Sequence, residues 1–300
     1  MKLRRWRLRL AMACGMLLVA LLGGCGPAPS PQPSTPPAKL PWTGMLADVR
    51  AVWSAEPGID LLTAPAVTVR AYLESIYLAD YGGDIAYAYP GFAQAVPPNA
   101  PEGHPHSTRD RWPDTQHPIG IPVVGTRGYH ILRVDEIDRQ VTAVVCVWAY
   151  TTALDLGHGK YGWMHETAFT APSSGIGMQW VSMTTPQGGT GPPLPVQKGT
   201  APAPLDDVFG AWRIDGALII DASPTRITEF PEWPSRPADA QSCVEKAPDP
   251  LERRLFLSNG VHPRSDFPQG TPEAWGYPHP SMSARPGFVE QSVRMATTPP

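Results

Sequence analysis

The sequence predicts an α+β protein: helices ahead of an antiparallel sheet, between a proline-rich spacer and a proline-rich, largely irregular end. Three observations carry that reading. Between Thr63 and Tyr81, Val69, Tyr72, Leu73, Ile76, Tyr77 and Asp80 recur at helical spacing, and Gly82-Gly83 breaks the run. Between residues 129 and 221, β-branched and aromatic runs are separated by turn residues. Outside these regions proline is dense, with seven among residues 26–41 and thirteen among residues 231–300, too many for regular structure.

The chain opens with Lys2, Arg4, Arg5, Arg7 and Arg9 and no acidic neighbour, followed by apolar or small residues from Leu10 to Leu22. A basic flank and a short apolar run form a secretory signal, too short for a membrane span. Leu22-Gly23-Gly24-Cys25 resembles the lipobox of bacterial lipoproteins. That resemblance implies cleavage before Cys25, a diacylglycerol on its thiol, and attachment to the outer face of the cytoplasmic membrane. Two acyl chains anchor stably where one is marginal. The following segment to Pro41 prefers extended polyproline II and acts as a semi-rigid tether.

Residues 1–24 hold five basic and no acidic residues, so their removal takes the formal charge from −3 to −8. A nucleic-acid partner needs clustered cations, and an acidic chain argues against one. Of four cysteines, Cys14 leaves with the signal and Cys25 carries lipid, which leaves Cys146 and Cys243. An exported pair predicts a disulfide that ties the end region to a central strand.

The expected boundaries are 1–24 for the signal peptide, 25–41 for the lipidated cysteine and tether, 42–223 for the globular α+β domain and 224–300 for the proline-rich, partly disordered tail. Within the domain, residues 45–53 read as a short helix. Thr63 is placed to cap the main helix, with Pro65 in its first turn. Asp84 is placed to cap a second short helix that Pro90-Gly91 stops. Residues 96–122 read as an exposed loop. Strands follow at 129–134, 141–152, 163–170 and 178–184. The 141–152 strand is apolar on both faces and belongs inside a sheet. The last element spans 209–221, with a tight turn at Trp212-Arg213-Ile214-Asp215-Gly216.

Across residues 60–222, this order of elements resembles the nuclear transport factor 2-like superfamily. The likeness rests on the amphipathic helix, on Gly83-Asp84-Ile85-Ala86-Tyr87-Ala88-Tyr89 opening a second helix, and on an aromatic Trp212-Arg213-Ile214 strand. It implies N-terminal helices packed on a curved antiparallel sheet, forming a cone around an apolar pocket. Enzymes of that fold use an Asp, His or Tyr in the pocket, which makes Asp84, His130 and Tyr87 catalytic candidates, with Asp80, Tyr89 and His165 also placed to point inward. The plainer reading makes Asp84 a helix cap, Asp80 a solvated residue and the tyrosines core aromatics.

His104, His106 and His117 share one loop with Asp110 and Asp114, residue types that suit zinc. Their spacing follows no familiar site, and solvated loop histidines account for them. No Gly-x-Ser-x-Gly elbow, phosphate-binding loop or His-Glu-x-x-His helix is present, and no cofactor is expected. Trp112, Trp163, Trp180, Trp212, Trp233 and Trp275 fall in or beside loops and strand ends, as on surfaces that bind proteins or glycans.

The layout also resembles actinobacterial lipoproteins of mycobacterial and mycobacteriophage type. The function expected from all this is a non-enzymatic binding domain displayed in the cell envelope, for a protein partner or an apolar ligand. Superinfection exclusion is the role the phage resemblance implies. The alternative is a small-molecule pocket protein, or a cone-fold isomerase or hydrolase.

Overall fold

Alternation along one strand takes both of its faces out of water. In β3 (Gln140–Trp148), Val141, Ala143, Val145 and Val147 enter one buried cluster. Val144, Cys146 and Trp148 enter another. A strand apolar on both faces belongs inside a covered sheet, and β3 is interior here. The computed structural model describes residues 41–163, 172–185, 194–222, 230–271 and 276–277.

Among the described residues the eight strands are β1 (Asp48–Ala55), β2 (Val123–Ile137), β3, β4 (Thr152–Asp155), β5 (Tyr161–Gly162), β6 (Ile176–Thr184), β7 (Arg213–Asp221) and β8 (Val261–His262). They run in the order β7-β6-β3-β2-β4-β5-β8, with β1 joined to β2. The sheet is antiparallel apart from the parallel β1–β2 pair, and it does not close on itself. The α+β class and the antiparallel sheet are as expected. Residues 45–53 are not a helix: after a single 3-10 turn at Gly44–Leu46 they form most of β1. Val49 and Trp53 alternate onto a buried face, which a strand satisfies. The 209–221 element contains no tight turn at its centre. The turn comes at its start, where the Trp212 N–H donates to the Phe209 carbonyl, and Arg213–Asp221 then run as one strand whose register shifts opposite Ser182 and Met183. The expected strand at 163–170 lies almost wholly outside the described residues.

Helix α1 (Ala66–Gly82) covers one face of the sheet. Residues Ala66 to Ala79 are all buried, so this helix is wrapped on every side rather than only along a stripe. It ends where Gly83 turns left-handed at φ 63°, and the Gly83 N–H caps the Ala79 carbonyl. Thr63 does not supply the expected side-chain cap: its hydroxyl donates to Asp60 Oδ2 at 3.0 Å, while its carbonyl accepts from the Val67 N–H. Asp84 does cap, and Oδ1 accepts from the Ala86 N–H at 2.9 Å above a 3-10 turn at Ile85–Tyr87. Two short helices, α2 (Phe92–Ala95) and α3 (His106–Arg109), punctuate the connection to β2.

Residues 230–271 depart from the expectation of an irregular tail. Helices α4 (Arg236–Glu245) and α5 (Leu251–Ser258) form a layer over the opposite sheet face. Trp233, Ala240, Cys243, Leu257 and Phe267 are buried there with Val144, Cys146, Trp148 and Trp180. Among the described residues, the prolines sit at helix starts and in connections, where they interrupt no helical ladder. The expected disulfide is present, with Cys146 of β3 bonded to Cys243 of α4 across Cα atoms 5.2 Å apart. Arg133 of β2 reaches both Asp239 and Ser235, and Trp233 Nε1 donates to Asp239 Oδ2 at 2.6 Å. The Ser235 hydroxyl donates to the same oxygen at 2.9 Å, so buried Asp239 has three donors, the condition under which a charge tolerates burial.

Candidate functional site

Side chains alternate along a strand, so the residues beside Trp53 in β1 leave the α1 face for the other one. Val52 and Ser54 therefore point toward the C-terminal layer. With Thr126 and Gly128 of β2, Trp148 of β3, Leu257 of α5 and Pro268 they line a cleft of about 450 Å³. The walls are mainly apolar. Tyr150, Asp249, Arg253 and Asp266 supply polar groups, and Arg253 is the cation among the lining residues. Burial, followed by the nearby Asp249 carboxylate, raises the Tyr150 hydroxyl above the usual range.

A chain of polar contacts runs from the edge of this cleft. The parallel register places Ser54 opposite His130 on neighbouring strands. Ser54 Oγ lies 2.9 Å from His130 Nδ1, and His130 Nε2 lies 2.9 Å from Glu56 Oε1. Lys246, just past α4, closes the chain at 2.6 Å from the same Glu56 oxygen. With its proton on Nε2, His130 donates to Glu56 while Nδ1 accepts from Ser54. The imidazole stacks on Trp148 with ring centres 5.6 Å apart and is nearly buried. Hydrogen bonds from Lys246, and then from His130, hold the Glu56 carboxyl below its usual range.

A second polar group lies on the α1 side. Glu74 is 2% exposed, and its carboxylate accepts from Trp53 Nε1 at 2.5 Å, Tyr89 OH at 2.7 Å and Tyr277 OH at 3.3 Å. Burial raises the Glu74 carboxyl despite these donors and the neighbouring Arg70 charge. The Arg70 guanidinium lies over the Tyr277 ring, 4.8 Å from its centre. A cavity of about 100 Å³ adjoins the group, room for a few waters rather than for a substrate. Glu74 joins α1, β1 and the chain at Tyr277, which is a structural task.

The structure separates the catalytic candidates. His130 stands beside the cleft. Asp84 is a turn cap, and Tyr87 packs its ring against Gly82. Tyr89 serves Glu74, and Asp80 Oδ1 accepts from the Asp114 N–H at 2.7 Å. His165 and Cys25, the expected lipidation site, lie outside the described residues. The loop histidines do not converge. His106 contacts Arg109 and the Phe230 ring, His117 pairs with Asp114 at 2.8 Å, and His104 makes a backbone turn to Pro101. Among the described residues, no group of three or more His, Cys, Asp or Glu could hold a metal ion.

The tryptophans do not form the expected binding surface. Trp180 and Trp233 are buried, Trp112 and Trp212 pack against the α1-side cluster, and Trp163 Nε1 donates to the Ala149 carbonyl. Trp275 lies outside the described residues.

Sequence reasoning missed Ser54, Glu56 and Lys246. A local signal existed in the Val52, Ser54, Glu56 alternation, which marks one strand face. Nothing local pairs that face with residues more than seventy positions away. The chain matches no protein-family model, no curated protein and no solved structure.

Proposed function

We propose that this chain is a lipid-anchored envelope protein whose domain captures a small organic molecule in the cleft between the sheet and the C-terminal layer. The observation that carries the proposal is the cleft itself. At about 450 Å³ it falls in the size class of ligand sites. Its apolar walls and few polar groups also follow the composition of such sites. Trp148 and Leu257 suit an apolar or aromatic body, and Arg253 suits an anionic head. The basic start of the chain and the Leu22–Cys25 run support the anchor. The cone of the superfamily resemblance, a sheet curled round α1, belongs to the same proposal. The cleft faces away from α1, however, so the ligand would lie outside such a cone.

The test is a probe panel of medium-chain fatty acids and anilinonaphthalene sulfonate, read by melting temperature and fluorescence. We expect saturable binding to the wild-type domain. Val52→Trp, which fills the cleft from a partly buried position, should weaken that binding at least tenfold, on the order of 1.4 kcal/mol. Equal binding by both proteins, or none by either, contradicts the proposal.

A further inference from the structure

We infer that Ser54 is a nucleophile, activated by His130, and that the cleft takes carboxylic esters. The inference rests on the cleft being the binding site and goes beyond it to chemistry. Three observations meet at one point. Ser54 lines the cleft, and its oxygen lies within hydrogen-bond reach of an imidazole nitrogen. The other nitrogen of that ring is held by a carboxylate, which fixes the tautomer that can accept the serine proton. Lys246 in turn fixes the carboxylate, and Trp148 stacks on the ring. A nucleophile, a base and an orienting group in hydrogen-bonded sequence beside an apolar cleft is the arrangement acyl transfer requires.

The serine stands on a strand, so no elbow motif announces it. β1 and β2 assemble the group by parallel register, Ser54 opposite His130, with Glu56 one residue past the last residue of β1. The chemistry balances with water as the only co-reactant. Ser54 Oγ attacks the ester carbonyl carbon and its proton passes to His130 Nδ1. The bond from carbon to the leaving oxygen breaks, and that oxygen takes the proton from Nδ1. Water then adds to the acyl-serine and gives a proton to Nδ1. The Oγ–carbon bond breaks, Ser54 recovers the proton, and a carboxylic acid leaves. His130 and Ser54 touch the reacting atoms, whereas Glu56 is a positioning residue.

The experiment is site-mapped labelling of the wild-type full chain with an alkyl fluorophosphonate, by peptide mass spectrometry, alongside hydrolysis of p-nitrophenyl butyrate. The expected adduct is on Ser54, and His130→Gln should slow its formation at least tenfold. Glu56→Gln retains an oxygen that accepts from His130 Nε2 and should recover part of the rate that Glu56→Ala loses, which a merely structural role would not produce. An unlabelled Ser54, an adduct on Lys246 in its place, or an unchanged rate in His130→Gln overturns the inference. The wild-type adduct decides the matter even where a variant fails to fold. Anilinonaphthalene sulfonate binding by the same preparation separates the two claims. Binding without an adduct removes the nucleophile and leaves the binding proposal standing, whereas absence of binding removes the cleft as a site.

Discussion

At the scale of single residues, position in the fold decides what each ionisable group can do. Asp80 and Glu56 are both carboxylates, yet burial pushes Asp80 up from 3.8 to about 6 while Lys246 and His130 hold Glu56 down. The folded protein therefore binds the Asp80 proton more tightly than the unfolded chain does. Stability from this residue is present below about pH 4 and is lost as pH rises from about 4 to about 6. Asp80→Asn removes the charge and keeps an oxygen for the Asp114 N–H. We expect urea unfolding at about pH 8 to show a gain of about 1–2 kcal/mol over wild type, after discounting for solvent screening, and no gain at about pH 3.5. An equal effect at both pH values would show that burial does not control this carboxyl. His130 was legible as a candidate from its type and its strand. Ser54 was not, because its importance comes from a neighbour across the sheet.

At the scale of elements, the segments with the plainest period were the most legible. The α1 helix and the strands around β3 follow from apolar spacing, and the disulfide follows from counting cysteines on the expectation of export. The β1 strand was misread because Met45 to Trp53 is short and apolar, a pattern that helix and strand share. The C-terminal layer was misread for a different reason. Proline-rich composition concealed α4, whose stability comes from tertiary contacts with β2 and β3 rather than from local propensity, whereas residues 251–257 already read as a helical turn or two and form most of α5. Those contacts are Arg133 to Asp239, Trp148 Nε1 to the Cys243 carbonyl, and the disulfide itself. The bridge closes a separation of 97 residues. Cys146→Ala with Cys243→Ala should lower unfolding stability by about 2–5 kcal/mol. Hydrogen exchange should rise first in α4 and α5, the elements the bridge holds. Unchanged protection there would mean that the side-chain contacts suffice without it.

At the scale of the whole molecule, the anchor and the cleft together make the account. On the proposed anchoring, a segment as long as residues 26–41 would reach about 5 nm if fully extended as polyproline II. On the same proposal, release of residues 1–24 would leave a chain of formal charge −8. The C-terminal layer builds one wall of the cleft and the sheet builds the other, so the proposed ligand capture would depend on the disulfide-held layer. The most direct test of the central claim is the native mass of the full chain after gentle extraction from membranes. The account predicts a mature chain that begins at Cys25, carries diacylglycerol, and holds a small molecule that denaturation releases and that Val52→Trp lacks. A wild-type protein with no bound molecule, or a molecule retained equally by Val52→Trp, would contradict it.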